Sequence, residues 1–319
     1  MTRGLDVVTV GRVGVDLYAE ELYASFREAR RFLKSVGGSP TNVAVAAARL
    51  GRRAAVFTKV GSDGLGDYVR YALAEEFGVD TRFVGTEPTL KTPIVVAVMD
   101  PPEDPQFVFY REPRAPDSTI RPDEVDLDVV RTVPILWISA GALAVEPSRG
   151  TTRTLLAERG RRPHAVLDLD YRPSFWASED DARREIGATI DAITVAVGNR
   201  AECEIALGTS EPDTAADALL GRGVELAIVK LGADGVLVAT GQGRTLVPPV
   251  QVEVVSGLGA GDAFGGALCH GLLSGWSPVD AVEFANAAGA LVASRLLCAE
   301  AMPTEPEVQE LMERTGARS

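Results

Sequence analysis

Three glycines and one carboxylate lie within six residues in Gly257-Leu258-Gly259-Ala260-Gly261-Asp262, followed by Ala263-Phe264. An apolar, β-branched run, Val250 to Val255, precedes this stretch. A longer apolar pattern, Phe264 to Leu273, follows it and suits a buried helix. The order therefore reads strand, glycine-rich turn, helix. Such a turn leaves backbone N–H groups unpaired at the helix start, where the dipole favours an anion. Glycines let that backbone come close to a phosphate. A carboxylate at the mouth repels a phosphate, so anion binding alone would not select Asp262. It can take a proton from a hydroxyl that attacks the phosphate, or it can cap the helix.

Other stretches would have to be brought to that turn. Leu5 to Val10 reads as a buried strand, continued by Gly11-Arg12-Val13-Gly14-Val15-Asp16. Its G-x-x-G lacks the full dinucleotide pattern. Asp16 interrupts an apolar run, so it either caps a turn or binds a ligand hydroxyl. Gly37-Gly38-Ser39-Pro40-Thr41-Asn42 is a glycine turn feeding a helix over Val43 to Leu50, with Gly51 at its end. Ser39 is the expected N-cap and Pro40 lies near N1. Ala165 to Asp170 reads as a strand ending in Asp168-Leu169-Asp170-Tyr171-Arg172-Pro173. Charged groups at the carboxyl end of a strand are where open α/β sheets bind ligands. Thr92 to Asp100 and Phe107 to Arg111 form a hairpin around the turn Pro101 to Pro105, with Phe109, Tyr110 and Arg111 ending it. Tyr18 to Lys34 shows no clear period. Further strands over Ala54 to Val60, Pro134 to Ser139, Ile193 to Val197, Leu226 to Lys230 and Val236 to Ala239 alternate with helices. The expected architecture is α/β, with a mainly parallel central sheet and a small β lid.

The 319 residues carry a net charge of -13, and no basic face for nucleic acid is visible. Two histidines argue against a histidine zinc site or a Ser-His-Asp triad. Three cysteines, Cys203, Cys269 and Cys298, have no close pairing and read as buried thiols of a reducing, cytoplasmic compartment. No secretory leader is expected, because Asp6 breaks the apolar start, and no apolar run is long enough to span a bilayer.

G-A-G-D-A-F resembles the signature of the ribokinase-like (PfkB) carbohydrate kinases, D-T-x-G-A-G-D, with Ser256 and Gly257 at its first two positions. The resemblance implies a ribokinase-like three-layer sandwich forming one domain over 1–319, with lid segments at about 16–36 and 90–115. It implies Asp262 as catalytic base, with the amides of Gly259, Ala260 and Gly261 as the anion hole. Gly38 and Asn42, in a G-G-x-x-x-N-x-A pattern, and Asp16 would hold the sugar. Gly61-Ser62-Asp63-Gly64-Leu65-Gly66 is a turn before a helix expected over Asp67 to Phe77; it matches V-G-x-D-x-x-G, and Asp63 is read as structural. Asn199 and Glu202 match N-x-x-E, with Glu202 acting on Mg²⁺ through water. Lys230, Gly232 and Gly235 match V-K-x-G-x-x-G. Together with Gly257 and Asn286 they stand on the ATP side. The run from Asp168 to Arg172 looks like the D-x-N-x-R of the keto-acid branch, with Asp170 for Asn. That implies Arg172, and Arg111 from the lid, as carboxylate ligands. The motifs together look most like the branch that phosphorylates 5-dehydro-2-deoxygluconate in inositol breakdown. 2-Dehydro-3-deoxygluconate is the nearest alternative acceptor, neutral sugars come next, and a nucleotide sensor without catalysis is the reading from another class. ATP and Mg²⁺ are the implied cofactors, and pairing through the lid the implied oligomer.

Overall fold

The computed structural model describes residues 4–316. Thirteen strands are formed: β1 (Val7–Val10), β2 (Gly14–Ala19), β3 (Phe32–Gly37), β4 (Ala54–Gly61), β5 (Val84–Glu87), β6 (Ile94–Val98), β7 (Gln106–Tyr110), β8 (Ile135–Ser139), β9 (Ala165–Asp168), β10 (Val195–Asn199), β11 (Leu226–Lys230), β12 (Val236–Thr240) and β13 (Gly243–Val247). Nine of them make one sheet in the order β13-β12-β11-β10-β9-β8-β1-β4-β5. It is parallel from β5 to β11 and antiparallel at β12 and β13.

The apolar runs are continuous because both faces are covered. Val7, Val56, Trp137, Val166 and Ile228 point to one face, packing under α1 (Ser39–Arg49), α2 (Gly64–Tyr71), α8 (Ala260–Leu273), α9 (Pro278–Ala293) and α10 (Glu305–Thr315). Val8, Phe57, Leu136, Leu167 and Ala227 point to the other, under α3 (Leu127–Thr132), α4 (Ser148–Arg159), α5 (Glu179–Thr189), α6 (Arg200–Leu207) and α7 (Pro212–Gly221). Three layers result. Two tight approaches fix α8. A Cβ on Gly266 would meet that of Ala46 in α1 at 2.3 Å, and one on Gly265 would meet the Trp137 indole at 2.8 Å.

The remaining four strands form a separate sheet, β3-β2-β6-β7, at the edge of the carboxyl ends of the main sheet. Both expected lid segments contribute to it. The Tyr18–Lys34 stretch is the end of β2, an irregular link over 20–31 and the start of β3, which pairs antiparallel with β2, and that link leaves the stretch without a period.

Three local readings are corrected. Val250 to Val255 is not a strand. Pro248 and Pro249 lack N–H donors, the sheet edge is already taken by β13, and the N–H groups of Val255 and Ser256 bond instead to Ala293 O, at 2.8 and 3.1 Å. The first helix begins earlier than expected: Gly38 is its N-cap with φ 103°, and Ser39 is already helical. Its Gly is required, since a Cβ there would lie 2.4 Å from Arg12 O. The helix expected over Asp67 to Phe77 starts at Gly64 and widens into a π turn over Ala72–Glu76. Asp63 caps it, accepting from Leu65 N and Gly66 N at 3.2 and 3.0 Å, and accepts from Thr92 N at 2.9 Å, the structural role expected of it.

Candidate active site

The carboxyl ends of β1, β9 and β11, with the first turn of α6, open into a cleft of about 290 Å³, roofed by the small sheet. The strand order reverses at β1, between β4 and β8, which is where open α/β sheets place ligands.

Asp262 stands in the first turn of α8, whose N-cap is Gly259 rather than Asp262. Gly259 has φ 79°, and a Cβ on it would lie 2.5 Å from Cys298 Sγ. Only glycine fits that backbone and that neighbour. Asn42, on the first turn of α1, donates from Nδ2 to Asp262 Oδ2 at 2.9 Å, joining two motifs 220 residues apart. Burial pushes the Asp262 carboxyl up, against the pull of the Asn42 contact.

Asp16 follows on β2. Its Oδ1 is buried without a partner, as is Asn42 Oδ1. The Tyr18 hydroxyl lies 3.0 Å from Asp16 Oδ2 and 2.8 Å from Cys298 Sγ, and its single hydrogen serves one of them at a time. Burial drives the Asp16 carboxyl up to about 7, with Tyr18 opposing. Two orphaned oxygens beside a carboxylate in one cleft are costly unless a ligand meets them.

The end of β9 carries two carboxylates of opposite fate. Burial raises Asp168 to about 8. Asp170 is equally buried but held low, because Arg12 and Arg172 flank it. Arg12 Nη1 donates to Asp170 Oδ2, and Arg172 Nε lies 3.2 Å from Asp170 Oδ1. Arg111, closing β7, pairs with Asp117 at 2.5 Å and lies with Arg12 against the Phe175 ring, their guanidinium carbons 5.0 and 5.4 Å from its centre.

Lys230 at the end of β11 lines the same cleft, 3.5 Å from where a Cβ on Gly261 would stand. Burial opposes its charge, but Glu202, Asp168, Asp170 and Asp262 surround it and raise its pKa. Glu202 faces the cleft while its Oε2 accepts from Asn199 N at 2.7 Å, closing a capping box at the start of α6.

The cleft thus gathers Asp16, Gly38, Asn42, Arg111, Arg172, Glu202, Lys230, Gly257, Gly259, Gly261 and Asp262. Ala260 is present through its backbone, as N1 of α8. Asn199 is the register partner of Lys230 on the neighbouring strand but its side chain caps α6. Gly232 and Gly235 form the turn between β11 and β12, outside the cleft. Asn286 also lies outside, its Nδ2 donating to Pro248 O at 2.8 Å. Of the residues ending the lid hairpin, Phe109 and Arg111 face inward and Tyr110 faces out. Arg12, Tyr18, Asp168 and Cys298 are cleft residues without an expected role. Arg12 and Asp168 could have been found as charges at the ends of buried strands, whereas nothing around Cys298 in the sequence marks it.

The pfkB family carbohydrate kinase profile matches residues 5–305. The chain is 33% identical over 313 residues to the 5-dehydro-2-deoxygluconokinase of Shouchella clausii, covering 97% of this chain and 95% of that protein. It is 33% identical over 319 residues to the protein of the same name from Photobacterium profundum, covering 98% and 96%. Among solved structures, a fructokinase from Vibrio cholerae O395 in a fructose, ADP and calcium ion bound form aligns with a TM-score of 0.84 at 27% identity, over 96% of this chain and 99% of that one. A fructokinase from Xylella fastidiosa with bound ATP gives 0.83 at 25% identity, over 98% and 99%. Signature, cleft and alignment agree over nearly the whole length, and the chain belongs to the pfkB family of carbohydrate kinases.

Proposed function

We propose that this kinase transfers the γ-phosphoryl group of ATP to the primary hydroxyl of a sugar acid, 5-dehydro-2-deoxy-D-gluconate, in a reducing cytoplasm as part of inositol breakdown. The observation that carries the chemistry is Asp262, oriented by Asn42 at the turn of α8. The observation that favours an acid is the pair Arg172 and Arg111 at the acceptor end of the cleft. The names of the two bacterial relatives described above support the same acceptor. A second acceptor, 2-dehydro-3-deoxygluconate, would use the same guanidinium groups.

In this reading the reacting hydroxyl turns its single hydrogen to Asp262, and neighbouring hydroxyls of the acceptor donate to the orphaned oxygens of Asp16 and Asn42. Asp262 accepts the proton of the reacting hydroxyl as the oxygen–phosphorus bond forms and the bond to ADP breaks. A pKa raised by burial suits a base working near neutrality. The N–H groups of Gly259, Ala260 and Gly261, with the Lys230 ammonium beside them, meet the charge on the transferred group. Asn199, Gly232, Gly235, Gly257 and Asn286 flank the nucleotide. Mg²⁺ keeps several waters and rides on phosphate oxygens, so a single carboxylate such as Glu202 in the cleft fits it as protein donor. Glu202, with one oxygen not used in capping, would hold one of those waters, and the ion would neutralise phosphate charge.

An acceptor panel tests the reading. The two keto acids should exceed fructose and ribose strongly in kcat/KM. Arg172→Ala should raise KM for the acid and leave the poor neutral sugars unchanged. The side chain is 39% exposed and already held by Asp170, so the rise should be roughly 10-fold, the low end for a charged hydrogen bond. Arg172→Lys should recover only part of it, lacking the planar fork. Fructose accepted as well as the acids would leave an ordinary neutral-sugar kinase. No ATP turnover with any acceptor would favour the non-catalytic sensor.

We also propose that two copies pair through the lid. Asp16, Tyr18, Val95, Ala97, Phe107 and Phe109 face the cleft, so the alternate residues Leu17, Val96, Val108 and Tyr110 face away. Val108 and Tyr110 are 42% and 62% exposed, an unusual outlay for an apolar strand. Light scattering should give a dimer, and Val108→Lys with Tyr110→Lys should give monomers. A wild-type monomer at micromolar concentration would rule the pairing out.

A further inference from the structure

Arg12 is built into the cleft more tightly than either expected carboxylate ligand. It lies in the link from β1 to β2, where its carbonyl accepts from Thr41 Oγ1 at 3.0 Å and sits against Gly38. Its side chain is 10% exposed, held by Asp170 at one end and by the Phe175 ring on its face. A guanidinium offers five N–H donors. Among the described residues it makes one hydrogen bond, to Asp170, and the group lines the cleft. Its other donors have no protein partner among those residues and belong to a group that lines the cleft, where a ligand oxygen can take them.

Its position says which oxygen. Thr41, which holds the Arg12 carbonyl, is followed directly by Asn42, which holds Asp262 at 2.9 Å, so Arg12 starts beside the Asp262 end of the cleft and its guanidinium reaches from there to Asp170. Arg172 pairs with Asp170 from the open end, its guanidinium carbon 5.9 Å from the centre of the Phe107 ring. Along the cleft the order is Asp16 and Asp262, then Arg12, then Asp170 and Arg172. With the reacting hydroxyl at Asp262 and the carboxylate toward Arg172, Arg12 falls nearest the carbon next to the one that carries the reacting hydroxyl. In 5-dehydro-2-deoxygluconate that carbon bears the oxo group.

We propose that Arg12, held by Asp170, donates to the oxygen on the acceptor carbon adjacent to the reacting hydroxyl and makes that oxygen a condition of fast phosphorylation. This rests on the sugar-acid reading above. It also gives a reason for the carboxylate at position 170, where the keto-acid pattern has Asn: the carboxylate fixes the guanidinium.

The test compares the 5-oxo acid with its analogue bearing a methylene at that carbon. Wild type should favour the oxo acid by on the order of 10–100-fold in kcat/KM, the worth of one charged hydrogen bond. Arg12→Gln should bring the ratio toward unity by slowing the oxo acid alone, with KM for ATP unchanged. Asp170→Asn should fall between, since the guanidinium keeps its charge and loses its anchor. Arg12→Lys, which keeps the charge in the site should the glutamine variant fold poorly, should retain part of the ratio. A wild type that treats both acids alike, or an Arg12→Gln variant that slows both equally, overturns the proposal. A wild type that takes fructose as readily as the oxo acid sinks the sugar-acid reading instead, and the ratio between the two acids still decides Arg12.

Discussion

Asp262→Asn should leave ATP affinity within a few-fold of the parent and lower kcat by ~10²–10⁴-fold, the usual cost of losing a general base. The substitution is nearly isosteric. The new amide oxygen can still accept from Asn42 Nδ2, so the geometry that binds the acceptor survives and the proton acceptor does not. Stability supplies an independent readout with a defined sign. Burial raises the Asp262 pKa in the folded protein, so its ionisation opposes folding. That contribution is favourable below the unfolded pKa of ~3.9 and is lost as pH rises through the folded value. The amide does not titrate. The variant's Tm should therefore gain on the parent as pH is raised from ~4 through the folded value. A near-normal kcat would remove Asp262 from the proton step whatever the Tm does.

Gly259→Ala should be nearly as damaging by a different route. An alanine at φ 79° carries a conformational cost of ~1–2 kcal/mol. Its methyl would also stand 2.5 Å from Cys298 Sγ and 2.9 Å from Cys298 Cβ, so either Cys298 or the start of α8 must move. The N–H groups that meet the phosphoryl charge move with α8. A displacement near 1 Å commonly costs ~10²-fold in rate. Cys298→Gly added to Gly259→Ala removes the clash and leaves the backbone strain, so the double variant should regain activity before it regains Tm. Full activity in Gly259→Ala alone would show that the turn tolerates a Cβ.

Much of this was legible because the chemistry is local. The turn at Gly259, the glycine turn before α1 and the Asp63 cap each declare their conformation within a few residues. The continuous apolar strands declare a parallel sheet covered on both faces. What escaped depends on partners distant in the chain. Arg12 looks like a surface charge until Asp170, 158 residues later, comes to hold it. Cys298 becomes a wall of the cleft only through Tyr18, 280 residues earlier. Val250 to Val255 has the composition of a strand, and only the occupied sheet edge denies it that role. Asn286 matched a motif, yet its amide is spent on the carbonyl of Pro248.

The bond from Asn42 to Asp262 spans 220 residues and lies on the contact of α1 with α8. During synthesis, at about 5–20 residues per second, the half of the cleft with Asp16 and Asn42 leaves the ribosome well before the half with Gly259 and Asp262. Gly265 and Gly266 cannot find their seats against Trp137 and Ala46 until most of the sheet exists to hold α1 in place. A nascent chain is therefore silent as a kinase. A copy released before α8 lacks one wall of the cleft and cannot complete it.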